Sequence, residues 1–261
     1  MQVKKTPEKY GFINVLNDND VNKTIHAIEN LYDYWVQRHN IDSYILGAAL
    51  YEHQKDYGGI INYFNIAKIM NPILLENFGW LYEILLEKLS IELAEPFEIT
   101  DIIGYPGFHI FGHPHGKLNS DVSIQMMQTL LANIHSDIQG NLLVDYWKET
   151  FQSDFDLSNP MSFTLALELP KNGAGLSTWG INDYEKNDDY EKYLKSLDYK
   201  KFPYEYLGPP DIVPYTVGNM FYFFGDMLHQ IAPAYKMDYN DRRITMQGHA
   251  IKCKGIWRVY F

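Results

Sequence analysis

Asp241-Arg242-Arg243-Ile244-Thr245-Met246-Gln247-Gly248-His249 is the stretch on which the fold turns. Arg243, Thr245 and Gln247 alternate with Ile244 and Met246. A period of two belongs to a β-strand with one polar and one apolar face. Upstream, Phe224-Gly-Asp-Met-Leu-His229 places a histidine at the end of an apolar strand, and a turn at Tyr239-Asn-Asp241 predicts that the two strands form an antiparallel hairpin. Other short runs rich in Val, Ile, Phe, Tyr and Thr lie at Gly107–Phe111, Ser162–Leu169, Leu176–Trp179, Asn219–Phe224, Ile244–His249 and Ile256–Phe261. Many short strands broken by Gly, Pro, Asn and Asp indicate a sandwich, barrel or jelly roll.

The chain before Pro96 reads differently. Val21, Ile25, Ile28, Leu31, Tyr32 and Trp35 recur at helical spacing, with Asn19 or Asp20 as the cap. A second helix is expected over Ile60–Met70, ending before Pro72. A third is expected over Pro72–Leu93, with Leu74, Leu75, Phe78, Leu81, Leu85 and Leu89 on one face. Helices first and strands later give an α+β fold. Residues 1–95 are expected as a helical region on the outside of a β core over 96–261, the two forming one integrated domain.

Composition bounds the partners. The 261 residues carry 22 Lys and Arg against 33 Asp and Glu, a net charge of −11. Such a surface disfavours nucleic acid and anionic membranes, whose phosphates demand Lys and Arg. No apolar run approaches the ~18–20 residues of a membrane span. One cysteine, Cys253, excludes an internal disulfide framework and fits a reducing, cytoplasmic setting. Tyrosines number 21, more than Phe and Trp together. Six of them, with Asp183, Glu185, Asp188, Asp189 and Glu191, fall in Gly180–Pro210, a polar insertion that reads as a solvated loop or a lid.

The chemistry lies in the histidines. His135 and Asp137 are two residues apart, which on a strand turns both side chains to one face. With His229 they make two imidazoles and one carboxylate, the facial set that suits non-haem Fe(II) with positions open for O2. A keto-acid cosubstrate that chelates the metal leaves a distal carboxylate, and the planar fork of Arg243 beside the Thr245 hydroxyl suits that group. Arg242, pointing to the opposite face, is the better candidate for a salt bridge with Asp238 or Asp241.

In these motifs, His135-x-Asp137, His229 and Arg243-x-Thr245 in that order, the sequence resembles the Fe(II)/2-oxoglutarate-dependent dioxygenases. Pro106-Gly-Phe-His-Ile-Phe111, Thr164-Leu-Ala-Leu-Glu-Leu-Pro170, Gly173-Ala-Gly-Leu-Ser-Thr-Trp179 and Gln247-Gly-His249 look similar to bacterial members. The resemblance implies a double-stranded β-helix (jelly roll, cupin-like) with the N-terminal helices outside it. It implies Fe(II) on His135, Asp137 and His229, 2-oxoglutarate on Arg243 and Thr245, and O2 as co-reactant. It further implies oxidative decarboxylation to succinate coupled to hydroxylation of an unactivated C–H bond. Halogenases of this superfamily carry Gly or Ala at the carboxylate position, so Asp137 argues against halogenation. Desaturation, ring closure and epimerisation use the same set.

The expected substrate is a small molecule such as an amino acid or a biosynthetic intermediate. A peptide or protein side chain, or a catalytically silent jelly-roll binding protein, are the alternatives, and the oligomeric state is not legible. Gln139, two residues past Asp137, Trp179 and His109 are candidates for the substrate side. The Gly173-Ala-Gly175 turn could join them. His109, His113 and His115 form a rival metal cluster, weakened by Pro114, the flanking glycines and the lack of a nearby carboxylate. His249 is expected as a core histidine.

Overall fold

A computed structural model describes residues 10–38, 41–55, 58–114, 118, 121–129, 133–137, 139–152, 154–179, 192, 196 and 204–261. Most of the acidic, tyrosine-rich insertion, and with it the lid expectation, lies outside the described residues. So does His115 of the rival cluster.

The central strand is the one the sequence marked, and it is longer than expected. It spans Arg243–Cys253 (β11) and pairs with β6 (Phe155–Glu168), β5 (Gly107–Phe111) and β12 (Ile256–Tyr260). Beyond β6 lie β9 (Asn219–Phe224) and β1 (Tyr10–Asn14), and beyond β5 lie β3 (Ser43–Leu46) and β2 (Val36–Gln37). A short β4 (Phe97–Ile99) runs parallel to β12. A second sheet has the antiparallel order β10 (Leu228–Ile231), β7 (Leu176–Trp179), β8 (Asp211–Val213).

The two faces of the large sheet differ because its register aligns residues of like parity. One face carries Phe108, Ile110, Phe163, Leu165, Met220, Tyr222, Ile244 and Met246, all buried in one apolar cluster. Helices α1 (Asp18–Asn30) and α3 (Ile60–Leu93) cover that face through Val21, Ile28, Leu74, Phe78 and Leu81. Gly248 sits in this layer because a Cβ there would come within 2.4 Å of the Phe163 ring. The opposite face carries His109, Ser162, Thr164, Arg243, Thr245, Gln247 and His249. It looks towards the small sheet, where Phe221 and Phe223 meet Leu176 and Val213. Two facing antiparallel sheets with helices on one outer face give the double-stranded β-helix and the α+β class expected.

Several expectations are corrected. His229 does not end the strand before β11, and no hairpin joins the two: β10 pairs with β7 in the small sheet, so the chain crosses between sheets after His229. The crossing lets His229 face the polar side of β11 from across the core. The N-terminal region is not only helical: β1, β2 and β3 extend the large sheet, and one buried cluster runs from Ile13 to Val259.

Nor does Pro72 divide two helices, since α3 runs unbroken through it. An interior proline costs about 3 kcal/mol. Burying Leu74, Phe78, Leu81, Leu85 and Leu89, each fully covered, contributes about 1.5–3 kcal/mol apiece and outweighs that cost. Asn71 also pins the helix at this point. Its amide donates to the carbonyls of Asp101 (3.1 Å) and Ile103 (2.9 Å) and its oxygen accepts from Tyr105 N–H (3.0 Å). The cap of α1 is Asn17, whose side chain accepts from Asp20 N–H at 3.1 Å. Among the described residues no helix is long and apolar enough to cross a membrane.

Candidate metal centre

His135 lies on no regular strand. An isolated antiparallel bridge ties it to His229, with His135 N–H donating to His229 O (3.1 Å) and the reverse bond at 2.9 Å. This bridge joins the segment before α5 (Val144–Phe151) to the small sheet and brings the two rings to a centroid distance of 4.4 Å. Each ring is oriented the same way. His135 Nδ1 donates to the Asn133 carbonyl at 2.8 Å, and His229 Nδ1 to the Met227 carbonyl at 2.9 Å. A proton fixed on Nδ1 leaves the Nε2 lone pair free, and both Nε2 atoms face Asp137, at 3.7 Å and 3.4 Å. One ligand atom each from His135, Asp137 and His229 lie within 4.8 Å of one another. His135 is 43% exposed while the Asp137 and His229 side chains are buried, so the cluster opens to solvent on the His135 side.

Burial opposes the charge on Asp137, yet the imidazoles of His229, His249 and His135 and a hydrogen bond from Ser162 outweigh it. Its carboxyl is held well below the usual carboxylate range. Burial lowers His229, against the pull of Asp137, and favours the neutral ring. A carboxylate with the Nε2 atoms of two imidazoles turned towards it is a ligand set for a divalent transition metal.

His249 is not a simple core residue. Its Nδ1 lies 3.7 Å from Asp137 and is hydrogen-bonded to Ser162 Oγ at 3.0 Å. Ser162 therefore bridges His249 and Asp137 and fixes the carboxylate from behind. The spacing Gln247-x-His249 carried this signal, because it continues the polar parity of β11. Gln139 does not continue a strand from Asp137. It opens a 3-10 turn, Gln139–Leu143, which removes the same-face argument, and its side chain lies outside the described residues.

Arg243 is 2% exposed. Its Nε donates to the Ala174 carbonyl at 3.2 Å and its Nη1 to Thr245 Oγ1 at 3.4 Å, and the rings of Phe111 and Tyr215 each lie 5.9 Å from the guanidinium carbon. The Gly173-Ala-Gly175 turn thus faces Arg243, with Ala174 held at φ 61° to present its carbonyl. Among the described residues no carboxylate lies within 4.0 Å of this guanidinium, whereas Arg242 on the opposite face pairs with Glu168 (2.6 Å) and Glu29 (2.7 Å). The salt-bridge role expected of Arg242 holds, with Glu168 and Glu29 in place of Asp238 or Asp241.

His109 lies opposite Thr245 across β5 and β11, on the polar inner face, with Nε2 3.1 Å from the Tyr51 hydroxyl. Trp179 differs. Its register partner is Leu228, so it lies on the outer side of the small sheet, away from His229 and Thr178, and its indole N–H donates to Gly208 O at 3.0 Å. His113 is removed from the cluster, its ring beside Tyr32 and its carbonyl accepting from Arg242. The sequence reading missed Ser162, Tyr215 and Tyr51, because only sheet register and packing bring them to this face.

No family model matches the chain, and no curated protein matches it. Solved structures do. A novel N-substituted L-amino acid dioxygenase from Burkholderia ambifaria AMMD aligns over 97% of this chain and 86% of its own, with 14% identity and a TM-score of 0.53. The same enzyme in complex with alpha-KG aligns with the same coverage and identity at a TM-score of 0.50. At that identity the likeness is one of fold: this chain is built on the same double-stranded β-helix as that dioxygenase.

Proposed function

We propose that this chain is an Fe(II)- and 2-oxoglutarate-dependent dioxygenase that hydroxylates a C–H bond of a small molecule. The observation that carries the reading is Arg243. A guanidinium removed from water needs an anion, and none of the described carboxylates supplies one. It lies on the polar inner face that His249 links to Asp137. A dicarboxylate chelating a metal at one end and pairing with Arg243 and Thr245 at the other satisfies both features. The fold it shares with the Burkholderia enzyme supports the same reading.

His135, Asp137 and His229 would hold the iron, leaving positions open for the cosubstrate and O2. When bound, the iron couples O2 activation to decarboxylation of 2-oxoglutarate, the source of the oxidising power for the C–H bond. The residues do the rest. The Asn133 and Met227 carbonyls keep both imidazoles in the ligating tautomer, and Ser162 and His249 aim the carboxylate. Arg243 forms a charge-assisted pair with the distal carboxylate and Thr245 adds a hydroxyl. Phe221, Phe223 and Leu176 keep water from the adjacent space. Asp137 keeps a ligand position that a halide would need, which favours hydroxylation over halogenation.

The test is anaerobic. Fe(II) and 2-oxoglutarate together should produce a weak visible charge-transfer band in the native protein. Asp137→Ala with His229→Ala should abolish it. A band that never forms, or that survives the double substitution, overturns the assignment. Succinate release stimulated by peptides and by no small molecule would redirect it to a side-chain hydroxylase.

A further inference from the structure

The aromatic rings on the two sides of the metal-binding set differ in chemistry. On the inner side the ring against His229 is Phe223, at a centroid distance of 5.1 Å, with Phe221 beyond it at 5.9 Å. On the other side stands His249, whose Nδ1 lies 3.7 Å from Asp137. It is paired across β11 and β12 with Tyr260, and the two rings are 5.5 Å apart. Trp147 on α5 follows Tyr260 at 5.8 Å, and Tyr146 follows Trp147 at 4.8 Å. Tyr260 and Trp147 are fully buried, in an apolar cluster distinct from the helix-covered core. Tyr146 is half-buried, with its hydroxyl 3.3 Å from Thr100 Oγ1. Every ring-to-ring step from His249 to the partly exposed Tyr146 is therefore 5.8 Å or less.

Packing alone would be served by phenylalanine at each of these places. The chain instead sets easily oxidised rings in unbroken succession here, and phenylalanines where the inner space must stay inert. Building on the dioxygenase reading above, we propose that His249, Tyr260, Trp147 and Tyr146 form an electron-transfer path that drains the metal centre when no substrate is present. In that event the reaction of O2 with 2-oxoglutarate leaves two oxidising equivalents at the iron, free to attack its own ligands. Each is removed in the same way. Trp147 gives one electron to the iron across the rings of Tyr260 and His249. The Tyr260 hydroxyl is buried with no hydrogen-bond partner among the described residues, so no base takes its proton and its ring acts as a bridge. Trp147 N–H donates to the Gly140 carbonyl at 3.0 Å, which is no base either, so the oxidised indole keeps its proton until Tyr146 supplies an electron. Tyr146 releases its phenolic proton to solvent, and a thiol or an ascorbate-like enediol at the surface returns a hydrogen atom to it. Two rounds consume two hydrogen atoms from the reductant and restore Fe(II). The remaining oxygen atom departs as water, with two protons taken from solvent on the exposed His135 side.

The test mixes the full chain, holding Fe(II) and 2-oxoglutarate but no substrate, with O2 and freezes samples at intervals. Electron paramagnetic resonance should show an organic radical whose signal narrows when the protein is made with ring-deuterated tyrosine, and added ascorbate should shorten its life. Tyr146→Phe should replace it with a signal that narrows only with ring-deuterated tryptophan, and Trp147→Phe should abolish both. Peptide mass spectrometry after longer exposure should find added oxygen on Trp147 or Tyr146 in the native protein, and on His135 or His229 in Trp147→Phe. No organic radical in the native protein, or the same radical in both variants, overturns the proposal. If Trp147→Phe misfolds by circular dichroism, the change from a tyrosyl to a tryptophanyl signal in Tyr146→Phe decides. The anaerobic charge-transfer band is recorded on each sample first. A band followed by no radical sinks this path and leaves the metal assignment standing, whereas a missing band sinks both.

Discussion

Replacing Arg243 by Met separates a ligand-binding cation from a structural one. The guanidinium is fully enclosed, and its described contacts are two neutral acceptors and two aromatic rings. Without an anion its burial is a net cost to the ligand-free fold. Exchanging buried charges for apolar side chains of similar volume is often neutral or stabilising by about 1–4 kcal/mol. Against that gain, the Ala174 carbonyl loses its donor, which costs about 1–3 kcal/mol. The balance lies between about 2 kcal/mol less stable and about 3 kcal/mol more stable for the ligand-free protein. At about 2–4 °C per kcal/mol for a chain near this size, its Tm should fall by no more than about 8 °C and rise by no more than about 12 °C. The native protein at 2-oxoglutarate 100-fold above Kd should gain about 2.7 kcal/mol, and the variant should gain nothing. Calorimetric melting with and without 2-oxoglutarate and a divalent metal reads both numbers. A ligand-free Arg243→Met protein destabilised by more than about 2 kcal/mol would mean that the arginine holds the fold together. So would a ligand-induced shift that survives the substitution, and either result refutes the reasoning.

Three further outcomes are expected. Ser162→Ala, which removes the hydroxyl linking His249 to Asp137, should weaken Fe(II) binding by about 10–100-fold, read by metal titration, with little change in fold. Pro72→Ala should restore the hydrogen bond to the Lys68 carbonyl within α3 and stabilise the protein by about 1–3 kcal/mol in urea unfolding; an unchanged midpoint would show that the helix already accommodates the ring. Stability should fall as the pH drops below about 6.5. Burial first, then Arg38, Arg243 and His249, hold His109 well below the ordinary histidine value. The folded state therefore stays neutral there while the unfolded chain takes up a proton, at up to about 1.4 kcal/mol per pH unit. Urea titrations between pH 5 and 8 should show a slope to which buried His229 and His249 also contribute, and His109→Asn should reduce it by up to about 1.4 kcal/mol per pH unit.

The strands over Gly107–Phe111, Leu176–Trp179 and Asn219–Phe224 were legible because each is a compact run of β-branched or aromatic residues between turn signals. The helices were legible by their period, although Pro72 misled. Local rules count the missing hydrogen bond and not the five buried side chains beyond it. The outer strands Tyr10–Asn14 and Ser43–Leu46 were not legible, since nothing in four or five ordinary residues distinguishes a partner of β9 or β5 from a loop. Gln139 and Trp179 were placed by spacing alone. A 3-10 turn at Gln139 removes the strand argument there, and the parity of the small sheet puts Trp179 on its outer side.

What the sequence determined is chemistry by type: two imidazoles, a carboxylate, an arginine and a threonine at strand parity, since alternation is a property of any strand. Only the tertiary structure decided which of these meet. The bridge between His135 and His229, the crossing of the chain from the small sheet into β11, and the arrival of His249 behind Asp137 all join residues far apart in the chain. Local periodicity carries no information about that. The burial of Arg243 belongs to the same class, because whether a charge has lost its water depends on what the rest of the chain packs around it.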